Sequence, residues 1–211
     1  MLDRKIYDNY GDWDKIAELP NIDDVKEKIG GNRRGRVWGP NFIPPAIAYI
    51  FEDAANEMRH ESSSVPAIVD FGCGLGRNGP ALKRFFPRVV GIDLPEMVER
   101  VRKEFPSVVQ NTYSQIYMSV PDLVASEQFC TLYDSVVFQH ILNREFLSDL
   151  IDRLSENTVF RNFVTVYNGN GFRFPHLDIL RDKGWHIWHS EVEHVSFRGA
   201  PHVVVAFRRG P

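Results

Sequence analysis

The stretch Ile68–Gly79, IVDFGCGLGRNG, and its continuation VVGIDLPEMV at Val89–Val98 hold the residues best suited to chemistry. An apolar run reaches Asp70 and gives way to Gly72, Gly74 and Gly76, after which NGPALKRFF reads as a helix. This is a strand, a glycine turn and a helix start. Glycine at alternate positions frees the backbone and removes side chains between the main chain and a ligand. Asp93 ends the next apolar run, RVVGID, where a carboxylate can accept a pair of hydroxyls. Further along, TLYDSVVFQHIL ends in Phe138, Gln139 and His140, and a histidine with an ordinary pKa near ~6.5 can move a proton at neutral pH.

The turn fits two patterns. Gly74, Gly76 and Gly79 spell GxGxxG, the dinucleotide fingerprint, with an acid about 20 residues on. The spacing acid-x-Gly-x-Gly-x-Gly of Asp70, Gly72, Gly74 and Gly76 resembles motif I of the class I S-adenosylmethionine-dependent methyltransferases. Gly72 already breaks the apolar run, and Asp70 would repel a pyrophosphate while suiting a sulfonium cofactor with an ammonium group. The second pattern is therefore favoured. Asp93 and its neighbour Leu94 speak for adenosine in either case.

The resemblance covers about residues 65 to 209 and carries implications for the site. Gly72, Cys73, Gly74 and Gly76 would pack on the methionine part of S-adenosylmethionine, Asp70 would help bind it, and Asp93 would take the ribose. Residues just past strand three would touch the adenine. SVVQNTY reads as that strand, which puts Gln110, Asn111 and Thr112 in this role, and Ser114–Phe129 reads as a loop with one or two helical turns. Asp134 and the pair Gln139–His140 resemble the family's pattern on strand four, with Phe138 and Gln139 facing the cofactor. S-adenosylhomocysteine would be the product.

These residues need a scaffold, and from Val65 the chain supplies alternating strands and helices, the signature of a parallel sheet covered on both faces. AIVDF, RVVGI, TLYDSVV and VFRNFVTVY read as strands. A helix capped by Asn143 buries Phe146, Leu147, Leu150, Ile151 and Leu154, and another runs from about Arg173 to Lys183 and is ended by Gly184. Two strands, WHIWHSEVEHV and HVVVAFRR, then follow with only SFRGAP between them and must pair antiparallel. The expected fold is α/β, a Rossmann-like seven-stranded mostly parallel sheet with an antiparallel last strand, helices on both faces and an N-terminal helical extension. Residues 1–62 form that extension or substrate lid, and residues 63–211 the S-adenosylmethionine-binding domain.

In the extension, Ile6, Tyr10, Trp13 and Ala17 recur at helical spacing, Asn21 caps a short helix of Ile22, Val25 and Ile29, and a third helix runs AIAYIFEDAANEMRH. The connector GGNRRGRVWGPNF is either a solvated loop or a lid. As a lid, Arg33, Arg34 and Arg36 would hold an anion and Trp38 would wall the substrate pocket. His176 and the loop Asn168–Gly171 border the same region. His186 and His194 share a strand face opposed by His189, Glu191 and Glu193, which reads as an exposed edge and not as a metal site.

Composition narrows the classes. With 211 residues, 43% of them hydrophobic, the chain can bury a full core. Its net charge of −3 disfavours a large nucleic-acid footprint. Two separated cysteines and no apolar leader or span point to the cytoplasm. No tyrosine has lysine four residues later, as a short-chain reductase would need. The expected activity is transfer of a methyl group from S-adenosylmethionine to an oxygen or nitrogen of a small molecule or glycan, with His140 either the base where one is needed or a structural residue that hydrogen-bonds backbone near the cofactor. A non-catalytic cofactor-binding partner subunit and an NAD-dependent oxidoreductase are the alternatives. Oligomeric state is left open by the sequence.

Overall fold

The computed structural model describes residues 18–25, 45–61, 65–127, 130–134, 144–156, 160–168, 177–193 and 202–209. In chain order the elements are α1 (Pro45–Glu61), β1 (Ala67–Phe71), α2 (Gly79–Leu82), β2 (Arg88–Ile92), α3 (Pro95–Glu104), α4 (Pro106–Thr112), β3 (Gln115–Tyr117), α5 (Val120–Ser126), β4 (Cys130–Asp134), α6 (Arg144–Ser155), β5 (Phe160–Asn168), α7 (Leu177–Asp182), β6 (Trp185–Glu193) and β7 (His202–Arg209). The seven strands form one sheet in the order β3-β2-β1-β4-β5-β7-β6. All neighbours from β3 to β5 are parallel, and β7 runs antiparallel to both β5 and β6, as expected.

Strand order reverses between β1 and β4, since β2 and β3 lie to one side of β1 and the later strands to the other. In open α/β sheets, ligands bind outside the carboxyl ends of the strands at such a point. Asp70 lies level with Gly91 of β2 and Tyr133 of β4, so the carboxyl ends that carry the predicted acids meet there.

The central strands are buried because both faces are covered. Every residue of β1 and β4 is buried, which is the continuous apolar pattern of a central parallel strand. Leu147, Leu150, Ile151 and Leu154 form the buried stripe of α6. Gly184, at φ 82°, takes the left-handed conformation that ends α7 and turns the chain into β6.

Helix α1 belongs to this core. Ile47, Ile50, Phe51, Ala54, Ala55 and Met58 recur at helical spacing and are all buried. The Phe51 ring lies edge-on to Tyr133 at 5.3 Å and to Phe86 at 5.7 Å. On the same helix, Glu57 pairs with Arg208 of β7 at 2.9 Å and accepts from the Asn162 amide at 3.2 Å. The boundary drawn at residue 62 thus falls between a helix and a strand that share one hydrophobic core. Of the shorter helix before it, residues 22–25 are helical, and the Asn21 side chain accepts the Asp23 N–H at 2.9 Å as an N-cap does.

The third unit differs from expectation. SVVQNT of this stretch lies in helix α4, Tyr113 follows it, and the strand is the short QIY further on. Valine and threonine favour strands, but that preference is weak and packing overrides it here. Pro106 fits the first turn of a helix, where its missing N–H costs nothing, and Val108 and Thr112, four apart, then face Gly76 of the turn and Gly79 at the start of α2. Behind this unit, the buried Glu127 carboxylate accepts from both Arg88 guanidinium nitrogens and from the Tyr117 hydroxyl, tying the start of β2 to β3.

Candidate active site

Gly72, Gly74 and Gly76 have φ of 71°, 52° and 79°, a run of left-handed dihedrals closed to most side chains. These dihedrals fold the chain back at the end of β1. The N–H groups of Gly72 and Cys73 both reach the Ile92 carbonyl, at 2.9 and 3.1 Å, and the Gly76 N–H reaches the Cys73 carbonyl at 2.9 Å. The turn is therefore fastened to the end of β2.

Asp93 completes that fastening. One carboxylate oxygen accepts the Gly74 N–H at 2.6 Å and the other the Leu94 N–H at 2.7 Å, while the Asp93 N–H donates to the Tyr117 carbonyl. Each carboxylate oxygen retains a second lone pair for a ligand hydroxyl. Leu94 is buried and caps α3, whose first residue is Pro95, so the carboxylate sits at a helix start.

Asp70 is placed differently from what a direct cofactor ligand requires. It is fully buried, and its two oxygens accept from Asn78 Nδ2 at 2.9 Å and from the Tyr113 hydroxyl at 2.7 Å. It supports the turn from behind. Burial pushes Asp70 up to about 6 against the pull of these two donors. Burial likewise pushes Asp93 up to about 6, with the Gly74 and Leu94 N–H groups pulling it down and the Asp70 charge pushing it up.

The sign of the consequence for stability follows from linkage. Both carboxyls hold their protons more tightly in the folded chain than in the unfolded one, where an aspartate titrates near ~3.9. The stability this confers is full below ~3.9 and is lost as pH rises through about 6. Calorimetric melting of the ligand-free protein at pH 7.5 and pH 5 is expected to show a contribution of higher Tm at pH 5 from these groups, roughly 2–4 °C per kcal/mol. Asp70→Asn and Asp93→Asn should each diminish it, and an unchanged pH dependence in both variants would contradict the assignment.

Cys73 is a spacer in the turn. Its thiol is buried, burial and the two acids hold it well above the ordinary range, and its sulfur would lie 3.0 Å from a Cβ on Gly91. That is not the environment of a nucleophilic thiolate.

Asn111 and Thr112, expected past strand three, precede it on α4. Asn111 is exposed, and the Thr112 methyl fills the space a side chain at Gly79 would need, at 2.5 Å from its Cβ. The positions that do follow β3 are Met118 and Ser119. Asp134 ends the described part of β4, is fully buried, and accepts from the Thr165 hydroxyl at 3.4 Å. Arg36, Trp38, Phe138, Gln139, His140, His176 and His194 lie outside the described residues. His186 is exposed and His189 half-buried on β6, an edge strand with a register shift between Ile187 and His189. Among the described residues no cluster of His, Cys, Asp and Glu could hold a metal, and no helix is long and apolar enough to cross a membrane.

One residue that the sequence patterns missed is Tyr113, which touches the turn from below. No motif marks it. Pro106, as a helix-opening proline, was the one signal that could have placed Tyr113 beside the glycines by turning 106–112 into a helix.

Comparison with known proteins agrees with this geometry. Residues 69–157 match the family described as methyltransferase domain. Among solved structures, the chain is similar to magnesium protoporphyrin IX methyltransferase (ChlM) from Synechocystis PCC 6803 with bound SAM, at 17% identity and a TM-score of 0.55, over 92% of this chain and 97% of that one. It is also similar to the N-methyltransferase NodS from Bradyrhizobium japonicum WM9, at 12% identity and a TM-score of 0.55, over 79% and 98%. A third is a TehB-like SAM-dependent methyltransferase from Corynebacterium glutamicum, at 16% identity and a TM-score of 0.54, over 93% and 100%. No curated protein sequence matches the chain. The glycine turn fastened to an acid at the end of β2, on a seven-stranded sheet with β7 antiparallel, lies within the segment 69–157 that matches the methyltransferase-domain family. The chain shares the Rossmann-like fold of these S-adenosylmethionine-dependent methyltransferases.

Proposed function

We propose that this protein transfers a methyl group from S-adenosylmethionine to an oxygen or nitrogen of a small molecule or glycan. The observation that carries the cofactor assignment is the Asp93 carboxylate, held by the N–H groups of Gly74 and Leu94 beside three left-handed glycines. The donor set fits the group. Asp93 offers paired lone pairs to a ribose diol, and two buried carboxylates make the turn favourable to a cation. Met118 and Ser119, which follow β3, take over the adenine edge from Asn111 and Thr112.

The cofactor supplies a methyl group already activated by a positive sulfur. The protein's part is alignment and exclusion of water. Asp93 and the turn fix the position of the adenosyl group, and the acceptor approaches along the carboxyl ends of β4 and β5. A hydroxyl or protonated amine also needs a base, and His140, six residues past Asp134, is the side chain of this segment suited to accept that proton. The net charge of −3 and the absence of an NPPY-like tetrapeptide after strand four favour a small acceptor over nucleic acid.

The test is release of S-adenosylhomocysteine, measured across a panel of small hydroxyl, amine and glycan acceptors. Turnover with one acceptor class is expected, and His140→Ala is expected to lower it while leaving cofactor affinity within about twofold. Cofactor binding with no turnover on any acceptor would favour a non-catalytic partner subunit. Retained turnover in the His140 variant would remove the base assignment.

A further inference from the structure

Tyr113 follows α4 directly, is buried, and sits where three glycines make room for it. A Cβ on Gly76, Gly79 or Gly91 would come within 3.3, 2.8 or 3.2 Å of its ring. Those glycines come from the turn, the start of α2 and the middle of β2, so one ring packs against all three segments that frame the turn. Its hydroxyl donates to Asp70 Oδ2 at 2.7 Å, while Asn78 donates to Oδ1 at 2.9 Å. The last acid of β1 is thus gripped from α4 on one side and from the start of α2 on the other, and the residues between Asp70 and Asn78 are the glycine turn itself.

We propose that Tyr113 is a positioning residue for cofactor binding, holding Asp70 and the turn Gly72–Gly76 in the shape that receives the adenosyl sulfonium group. This rests on the function proposed above. The phenol is suited to the task because burial and the nearby acids hold it well above the ordinary tyrosine range, so it remains a donor at every working pH. The groups that bear on Asp70 electrostatically are Cys73 in the turn, Asp93 at the end of β2 and Tyr113 itself, with Tyr133 beside it in β4. Loss of the phenolic donor removes an interaction that favours the carboxylate, so Asp70 should protonate at higher pH in Tyr113→Phe.

The experiment is calorimetric titration of S-adenosylhomocysteine into wild type, Tyr113→Phe, Asp70→Asn and the double variant, at pH 7.5 and pH 6. Tyr113→Phe keeps the ring and deletes one donor to a charged group, so about tenfold weaker binding is expected at pH 7.5. The weakening should be greater at pH 6. In the Asp70→Asn background the same change should alter affinity less than about twofold, because the tyrosine acts through the carboxylate. Asn78→Ala, which deletes the other donor and leaves the ring packing intact, should weaken binding in the same direction and carries the test if Tyr113→Phe does not fold. Wild-type affinity in a folded Tyr113→Phe or Asn78→Ala protein, or a full additive loss in the double variant, would overturn the positioning role. Absence of binding by wild type would instead overturn the cofactor assignment, and with it this inference.

Discussion

Asp93→Ala is expected to weaken S-adenosylmethionine binding by at least about a hundredfold. Hydrogen bonds to a charged group contribute about 1.5–3 kcal/mol each, and every 1.4 kcal/mol is tenfold in affinity. Alanine removes the acceptor for the ribose and, at the same time, leaves the Gly74 and Leu94 N–H groups without the carboxylate that receives them. The loss therefore combines a ligand contact with the tether of the turn. Asparagine keeps the shape and one acceptor oxygen, so Asp93→Asn should fall between wild type and alanine. Acidification acts on the same group: affinity should decline as pH falls through about 6, where Asp93 takes up a proton. Titration calorimetry at pH 7.5 measures the alanine variant directly, and affinity within about threefold of wild type would remove Asp93 from the site.

Phe51→Ala carries the largest expected cost to stability. The ring is fully buried and packs against Phe85, Phe86 and Tyr133. Large-to-small changes at such aromatic positions cost about 3–5 kcal/mol, because the cavity is only partly refilled. For a chain of this size, Tm should fall by roughly 10 °C. The result bears on architecture as well as energy. If α1 were a detachable lid, truncating its ring would leave the melting of the sheet domain nearly unchanged. A Tm shift below about 2 °C would support a boundary at residue 62. Arg208, which pairs with Glu57 and Asp53 of α1 while lying 4.5 Å over the Trp188 ring, links the same helix to β6 and β7.

Most of the sheet was legible because its signals are local. Apolar runs of strand length bounded by turn residues mark β1, β2 and β5, and the few residues between the last two strands force their antiparallel pairing. The turn was legible for the same reason, since Gly72, Gly74 and Gly76 each need a left-handed φ that glycine supplies. What escaped depends on packing between distant segments. Residues 106–112 carry the valines and threonine of a strand, yet they form a helix because Val108 and Thr112 fit against Gly76 and Gly79 across the chain. That single exchange placed Asn111 and Thr112 on a helix before β3 and not after it, and hid Tyr113. Asp70 was found by its spacing, but its burial behind the turn depends on Tyr113 and Asn78, which no spacing rule connects. Helix α1 was legible as a helix; its place in the core rests on Phe51 meeting Phe86 and Tyr133 from separate segments.

The most direct test of the central assignment is titration of the purified protein with S-adenosylmethionine, S-adenosylhomocysteine and NAD in parallel. Micromolar binding of both sulfur ligands at one site per chain, with no heat from NAD, is the predicted result. Binding of NAD alone would contradict it and make Gly74, Gly76 and Gly79 a dinucleotide turn.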